Sequence, residues 1–212
     1  MDFDKLITQN PLFIDAFREI NNIGSGNAAS AVAAMLGQKV DITVPSVIVE
    51  KIPNVIEKIG SPDEPAFGVQ LTYNGDLDGV ILLIFKEDTV KTLAKLLMGM
   101  EVEEIDDMTI SMIQEIGNIV SASFLNAIAT FFNVQVLPSP PSAAYDMLQA
   151  LLNLALASIA AETDYALVVK TEFIIGNDEN NKAEGWIVNV PSPESFIKLL
   201  KLMGLLGDED VE

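Results

Sequence analysis

Three polar side chains recur in the same order at two places 96 positions apart. Asp15, Glu19 and Asn22 stand in Asp15-Ala-Phe-Arg-Glu19-Ile-Asn-Asn22, and Ser111, Glu115 and Asn118 in Ser111-Met-Ile-Gln-Glu115-Ile-Gly-Asn118. On an α-helix, positions i, i+4 and i+7 share one stripe, so each copy presents a carboxylate or hydroxyl, a carboxylate and a carboxamide side by side. A carboxamide is neither a useful nucleophile nor a base, so such a triplet cannot attack a phosphoester by itself. It can orient water. The Asn carbonyl accepts and its NH₂ donates, which holds a water in line with a phosphorus already activated by another protein and its metal. The Glu fixes the geometry by pairing with a lysine on that partner. Positioning and electrostatics of this kind supply most of the catalysis in phosphoryl transfer. A solvated helix face is the ordinary role of Asp, Glu and Asn, and the duplication argues against it here: Glu and Asn recur in both copies, whereas Gly24 and Gly26 correspond to Val120 and Ala122.

The composition narrows the chemistry further. The chain has no Cys and no His, which removes thiol nucleophiles, imidazole bases and the usual transition-metal ligands, and with them most hydrolase mechanisms. Thirty-one acidic against twelve basic residues give a formal charge of −19. That field repels phosphate backbones and anionic membrane surfaces, so a nucleic-acid role is not expected, and it favours a partner with a basic binding surface. The N-terminal Met-Asp-Phe-Asp-Lys lacks the pattern of a secretory signal, so the expected location is the cytoplasm. The most membrane-like stretch, residues 143–161, carries Asp146, Gln149 and Asn153 without basic flanks and reads as a buried amphipathic helix rather than a span.

At 212 residues and 50% hydrophobic content the chain can bury one large core, either as one domain or as two fused halves. Apolar periodicity predicts long helices over residues 11–36 and 108–132 that carry the triplets. Each is followed by a β-rich run ending at proline, residues 39–45 and 134–138, where the missing N–H closes the strand. Further strands are expected at 67–73 and 165–175, and from Gly79 and Gly185, the last two leading into helices that end near Gly99 and Gly204. A short helix near 54–59 and the longer one at 143–161 complete the halves. The expected architecture is α+β, with two pseudo-symmetric repeats (about 11–100 and 108–205) sharing a six-stranded antiparallel or mixed sheet in one domain spanning 1–212, and an acidic tail at 207–212. Gly24-Ser25-Gly26 is not followed by the lysine of a phosphate-binding loop and reads as close helix packing. Met98, Met100, Met108 and Met112 read as core filler.

At the triplets the chain resembles the CheC/CheX/FliY family of chemotaxis phosphatases, whose signature is Asp or Ser, three residues, Glu, two residues, Asn. Both copies match in full. The likeness extends to Asn22-Ile-Gly-Ser-Gly-Asn-Ala-Ala29 and to the Pro-Ser-Pro-Pro run at 138–141, and two intact sites with no fused switch-complex module is the CheC-type arrangement. The resemblance implies hydrolysis of the aspartyl phosphate on the response regulator CheY. Asn22 and Asn118 would orient the water, Glu19 and Glu115 would contact the regulator's active-site lysine, and Asp15 and Ser111 would support the motif. The chain would need no metal of its own, since the Mg²⁺ would sit on the regulator. It also implies a second partner, the receptor deamidase CheD, docking on the 143–161 segment with Asp146 as the residue to watch. The alternative role is a non-catalytic module that sequesters phosphorylated CheY or regulates CheD through the same face.

Overall fold

In the computed structural model, which describes residues 10–99, 105–158, 164–176 and 181–206, the chain runs α1 (Pro11–Leu36), β1 (Val40–Lys51), a 3₁₀ turn (Ile52–Asn54), α2 (Val55–Ile59), β2 (Pro65–Gly75), β3 (Gly79–Lys86), α3 (Glu87–Met98), α4 (Asp107–Phe132), β4 (Val136–Pro138), β5 (Ser142–Met147), α5 (Leu148–Ser158), β6 (Tyr165–Ile175), β7 (Lys182–Pro191) and α6 (Pro193–Leu202). The expected tail at 207–212 and Met100 lie outside the described residues, as does the side chain of Met98. Side-chain caps start both long helices. Asn10 accepts the Leu12 N–H at 3.0 Å, with Pro11 at the first helical position, and Asp106 accepts the Thr109 N–H at 2.8 Å. Left-handed residues end them, Gly37 after α1 and Asn133 after α4, each returning its N–H to a carbonyl four residues back.

The two caps differ in charge, and this has a measurable consequence. The bonds from the Thr109 N–H and hydroxyl hold the Asp106 carboxyl below its ordinary pKa. A depressed folded-state pKa contributes stability that is complete above the unfolded value near 4 and is lost as pH falls through the lower folded value. Below about pH 4 the first turn of α4 is therefore expected to fray while that of α1, capped by neutral Asn10, persists. Amide exchange at Thr109 and Leu12 reads the difference, and equal acid sensitivity of the two amides would contradict it.

All the strands pair antiparallel in the order β1-β6-β7-β3-β2, with β4 and β5 sharing the outer edge of β2. Val136–Met147 lies 96 residues after Val40–Lys51, so the broken edge β4/β5 is the counterpart of β1. The halves interleave. Each one's first strand pairs with the other's second, and the third strands, β3 and β7, meet at the centre, where Leu82 faces Val188. A pseudo-twofold axis through that central pair relates the two helices that carry the triplets.

Helices cover both sheet faces, which is why the central strand β3 is buried almost throughout and reads as a continuous apolar run, Gly-Val-Ile-Leu-Leu-Ile-Phe. On one face α1, α4, α3 and α6 close over Phe67, Val69, Leu71, Ile81, Leu83, Phe85, Leu167, Val169 and Ile187. On the other, α2 and α5 seal Val80, Leu82, Ile84, Val168, Val188 and Val190. Among the described residues one helix, Asp107–Phe132, is long and apolar enough to cross a membrane. Its apolar side, including Ile113, Ile116, Val120 and Phe124, is spent on the core.

Three sequence expectations need correction. Residues 143–161 are not one helix: Ser142–Met147 is an edge strand on β2, the helix is only Leu148–Ser158, and residues 159–161 lie outside the described set. The sheet consequently has seven strands rather than six. Pro45 does not end β1 but sits in a bulge, because Thr43 and Ser46 face Glu172 and Lys170 and the strand carries one extra residue there. The extra residue flips the alternation, so Val40 and Ile42 before it and Val47 and Val49 after it all face the long-helix core.

Candidate functional site

The two triplets lie on the solvent faces of α1 and α4. Opposite each stripe the helix is anchored by buried residues at the complementary phase: Phe13, Phe17, Ile20, Gly24 and Ala28 on α1, and Ile113, Ile116, Val120 and Phe124, with the polar Thr109, on α4. The helices pack against each other. The Phe17 and Phe132 rings stand 6.3 Å apart, and a β-carbon on Gly24 would approach Phe124 Cα to 3.1 Å. Low numbers on α1 thus meet high numbers on α4, so the helices run antiparallel. With 1.5 Å rise per residue, the centres of the triplets are separated by roughly 23 Å along the pair. Gly24 fills the packing role expected of the small-residue run, and buried Ser25 donates to the Asn22 carbonyl at 2.9 Å. Gly26 instead faces open space.

Asp15, Glu19, Asn22, Ser111 and Glu115 are exposed, whereas Asn118, expected to be equally exposed, is only partly so. The residues preceding the two asparagines account for this. Asn21 is buried beneath α1, its Nδ2 donating to the Phe17 carbonyl, and it acts as a spacer. Its counterpart is Gly117, where a β-carbon would come within 2.5 Å of Val69 Cβ on β2. With no side chain between, α4 settles directly on the sheet and carries Asn118 down with it. The neighbouring Gln114 is tied to the second half's edge, its Nε2 donating to the Pro141 carbonyl at 3.3 Å.

The first positions of the two motifs play unlike parts. Asp15 accepts from Arg18, the chain's single arginine, at 2.9 Å in an exposed i, i+3 pair. Ser111 Oγ donates to the Asp107 carbonyl at 2.8 Å and so serves its own helix. Arg18 and Gln114 occupy equivalent positions of the repeat and were not singled out by motif reasoning; the i, i+3 opposite charges were the available signal for Arg18. Among the described residues no hydrogen bond or ion pair engages the Glu19, Asn22, Glu115 or Asn118 side chains, so they stand open to a partner. The same residues contain no cluster of three His, Cys, Asp or Glu that could hold a metal ion.

Asp146 does not join the triplets. It lies exposed on edge strand β5 opposite Ala66, its carboxylate accepting the Met147 N–H at 2.7 Å, rather than on a helix. Beside it Tyr145 packs on Phe67 at 4.6 Å between ring centroids and donates its hydroxyl to Glu87 at 2.6 Å.

Fold and site together define an α+β protein of interleaved halves that presents one polar triplet twice on an antiparallel helix pair. The chain belongs to the CheC-like family: a family model of that description matches residues 14–49 and 108–145, the segments that bear both triplets. The CheY-P phosphatase CheC of Bacillus subtilis is 30% identical over 196 residues, covering 90% of this chain and 93% of that protein. The flagellar motor switch phosphatase FliY of the same organism is 33% identical over 131 residues, 60% of this chain and 34% of FliY. Among solved structures, Thermotoga maritima FliY superposes with a TM-score of 0.72 at 25% identity over 92% of this chain and 97% of that one.

Proposed function

We propose that this protein is a phosphatase that hydrolyses the aspartyl phosphate of the response regulator CheY, acting in the cytoplasm. The observation that carries the reading is the pair of unengaged Glu and Asn side chains, one turn apart and exposed save for the half-buried Asn118, on each of two family-matched helices. The regulator brings the phosphoryl group, a Mg²⁺ that neutralises its charge, and a lysine. Glu19 or Glu115 pairs with that lysine and docks the helix over the phosphoryl group. Asn22 or Asn118 then accepts one hydrogen bond from a water and donates to its oxygen, placing the lone pair in line with the bond to be broken. Water adds to phosphorus, the P–O bond to the aspartate breaks, and inorganic phosphate and a free carboxylate leave. Neither Cys nor His is needed, because no covalent intermediate forms on this chain. Asp146, exposed on the free edge beyond β2, is a contact for CheD in the same reading, on the face opposite neither triplet but at the sheet margin.

The carboxylates supply the test. Replacing Glu19 and Glu115 by Gln keeps size and hydrogen bonding but removes charge, and is expected to lower kcat/KM about tenfold or more with no loss of thermal stability, since both sites are exposed. Raising ionic strength from about 0.05 to 0.5 M shortens the screening length about threefold, and should weaken association between this acidic chain and the regulator's basic rim. Phosphate release indifferent to both changes would reduce the carboxylates to a solvated face.

A further inference from the structure

Of the four methionines expected to fill the core, Met108 does the opposite: it is 63% exposed at the start of α4. Its partner 96 residues earlier is Leu12, 70% exposed at the start of α1. The same holds at the other ends of these helices, where Met35 on α1 is 41% exposed and Phe131 on α4, again 96 residues on, is 47% exposed. Side-chain identity changes within each pair, Leu to Met and Met to Phe, while size, apolarity and exposure persist. Isolated exposed apolar residues need no explanation; a set that repeats with the motif does.

The antiparallel packing gathers these four residues into two groups. Phe17 meets Phe132, and the Phe131 and Phe132 rings lie 5.1 Å apart, so Leu12 and Phe131 stand at the same end of the helix pair as the Asp15, Glu19 and Asn22 triplet. By the pseudo-twofold, Met108 and Met35 stand at the other end, that of Ser111, Glu115 and Asn118. Leu12 and Glu19 are seven residues apart, two helical turns, on nearly the same line, with Ile23, 45% exposed, one turn beyond. Leu12 and, by the repeat, Met108 therefore stand on the line of Glu19 and Glu115, on each triplet's own surface and on rigid helix rather than loop, whereas Phe131 and Met35 are in phase with buried Phe124 and Ala28 at the helix ends.

We infer that Leu12 and Met108 are the apolar docking anchors of the two sites, and that their occupant is the receiver surface of the phosphorylated response regulator next to its phosphorylation site. The inference rests on the phosphatase reading above. Polar triplets supply orientation and long-range steering, but exposed ion pairs give little net affinity. Binding energy at protein interfaces is concentrated in a few large apolar or aromatic side chains that become desolvated, and each site carries such a side chain two helical turns from its carboxylate on the same line. The occupant is the regulator rather than a second copy of this chain, because the anchors are continuous with the catalytic stripe and were duplicated with it, and because two copies would bring a charge of −19 face to face with its like.

The test uses chains with one working site. In the Asn118→Ala background, where only the first site turns over, Leu12→Gln is expected to raise KM for phosphorylated regulator about 5- to 10-fold with kcat within about twofold, because it removes binding common to ground and transition states. In the Asn22→Ala background Met108→Gln should do the same at the second site. Leu154→Gln, removing an equally exposed apolar side chain from α5 on the opposite sheet face, should leave KM unchanged in both. Thermal melts should be unaltered, since exposed helix positions are exchanged for a good helix former. Unlike the Glu19→Gln defect, the Leu12→Gln increment should persist at high salt. An unchanged KM in Leu12→Gln and Met108→Gln, or an equal rise in Leu154→Gln, would overturn the anchors while leaving the phosphatase reading intact; absence of turnover in the unaltered protein would instead remove the phosphatase reading itself.

Discussion

Changing Asn22 and Asn118 together to Ala is expected to abolish dephosphorylation while the protein stays folded. Both side chains lie on the solvent side of long helices, and Ala is the better helix former, so stability should hold or rise by a few tenths of a kcal/mol. Losing the group that holds water in line should cost about 10²-fold or more at each site. Either single change leaves the other triplet untouched and should retain a substantial fraction of the rate. The readout is single-turnover loss of phosphate from the regulator beside a thermal melt. Wild-type turnover in the folded double variant would remove water positioning as the mechanism.

The second large effect comes from a pair of glycines on these same helices. Gly117→Ala places a methyl where Val69 Cβ would be 2.5 Å away, against a strand that cannot retreat because β3 and β5 hold it on either side. Helix propensity gains about 1 kcal/mol. Overpacking costs about 1–3 kcal/mol and more where a backbone must move, so the net is destabilising by about 2 kcal/mol. Gly26→Ala meets nothing within 4 Å and should stabilise by about 0.5–1 kcal/mol through propensity alone. Because Gly117 precedes Asn118 and sets the height of α4, Gly117→Ala should also depress second-site turnover, measured in the Asn22→Ala background, more than first-site turnover. Val69→Ala added to Gly117→Ala should recover part of both losses. Chemical denaturation and single-site kinetics decide the matter, and a stabilised Gly117→Ala protein would show that α4 does not rest on the sheet at that point.

What the amino-acid pattern disclosed, and what it hid, follows from the reach of each signal. The long helices were legible to within a residue, since twenty-six positions of apolar periodicity with a polar cap at the start leave little freedom. So was β6, Tyr165–Ile175, bounded by its alternation. Strand β5 was misread because Ser142-Ala-Ala-Tyr-Asp-Met147 is Ala-rich, mostly exposed, and bound only along β2, so no period of two is written into it. The internal repeat held the missing information: adding 96 to the bounds of β1 gives Val136 to Met147, the span of β4 and β5, and sets Pro45-Ser46 against Pro141-Ser142. Pro45 reads as a strand end from local chemistry alone, and only the pairing with β6 reveals a bulge that the chain continues through.

The placement of the triplets on two long helices was legible, and their asymmetry was not. Glu19, Asn22, Glu115 and Asn118 follow from spacing, but the lower seat of Asn118 depends on Gly117 meeting Val69, a contact between residues 48 positions apart. The exposure of Met108 was hidden for the same kind of reason. A methionine near an apolar helix start reads as core, and only the way α4 lies on the sheet shows that it faces water.

The most direct test of the account is the decay of the acyl phosphate on purified, phosphorylated CheY, followed with Mg²⁺ present, with and without this protein. Catalytic amounts should accelerate the decay, saturate with regulator concentration, and lose their effect in the Asn22→Ala, Asn118→Ala double variant. An unchanged decay rate at concentrations where the two proteins are shown to be bound would contradict the account and leave a chain that only holds the phosphorylated regulator.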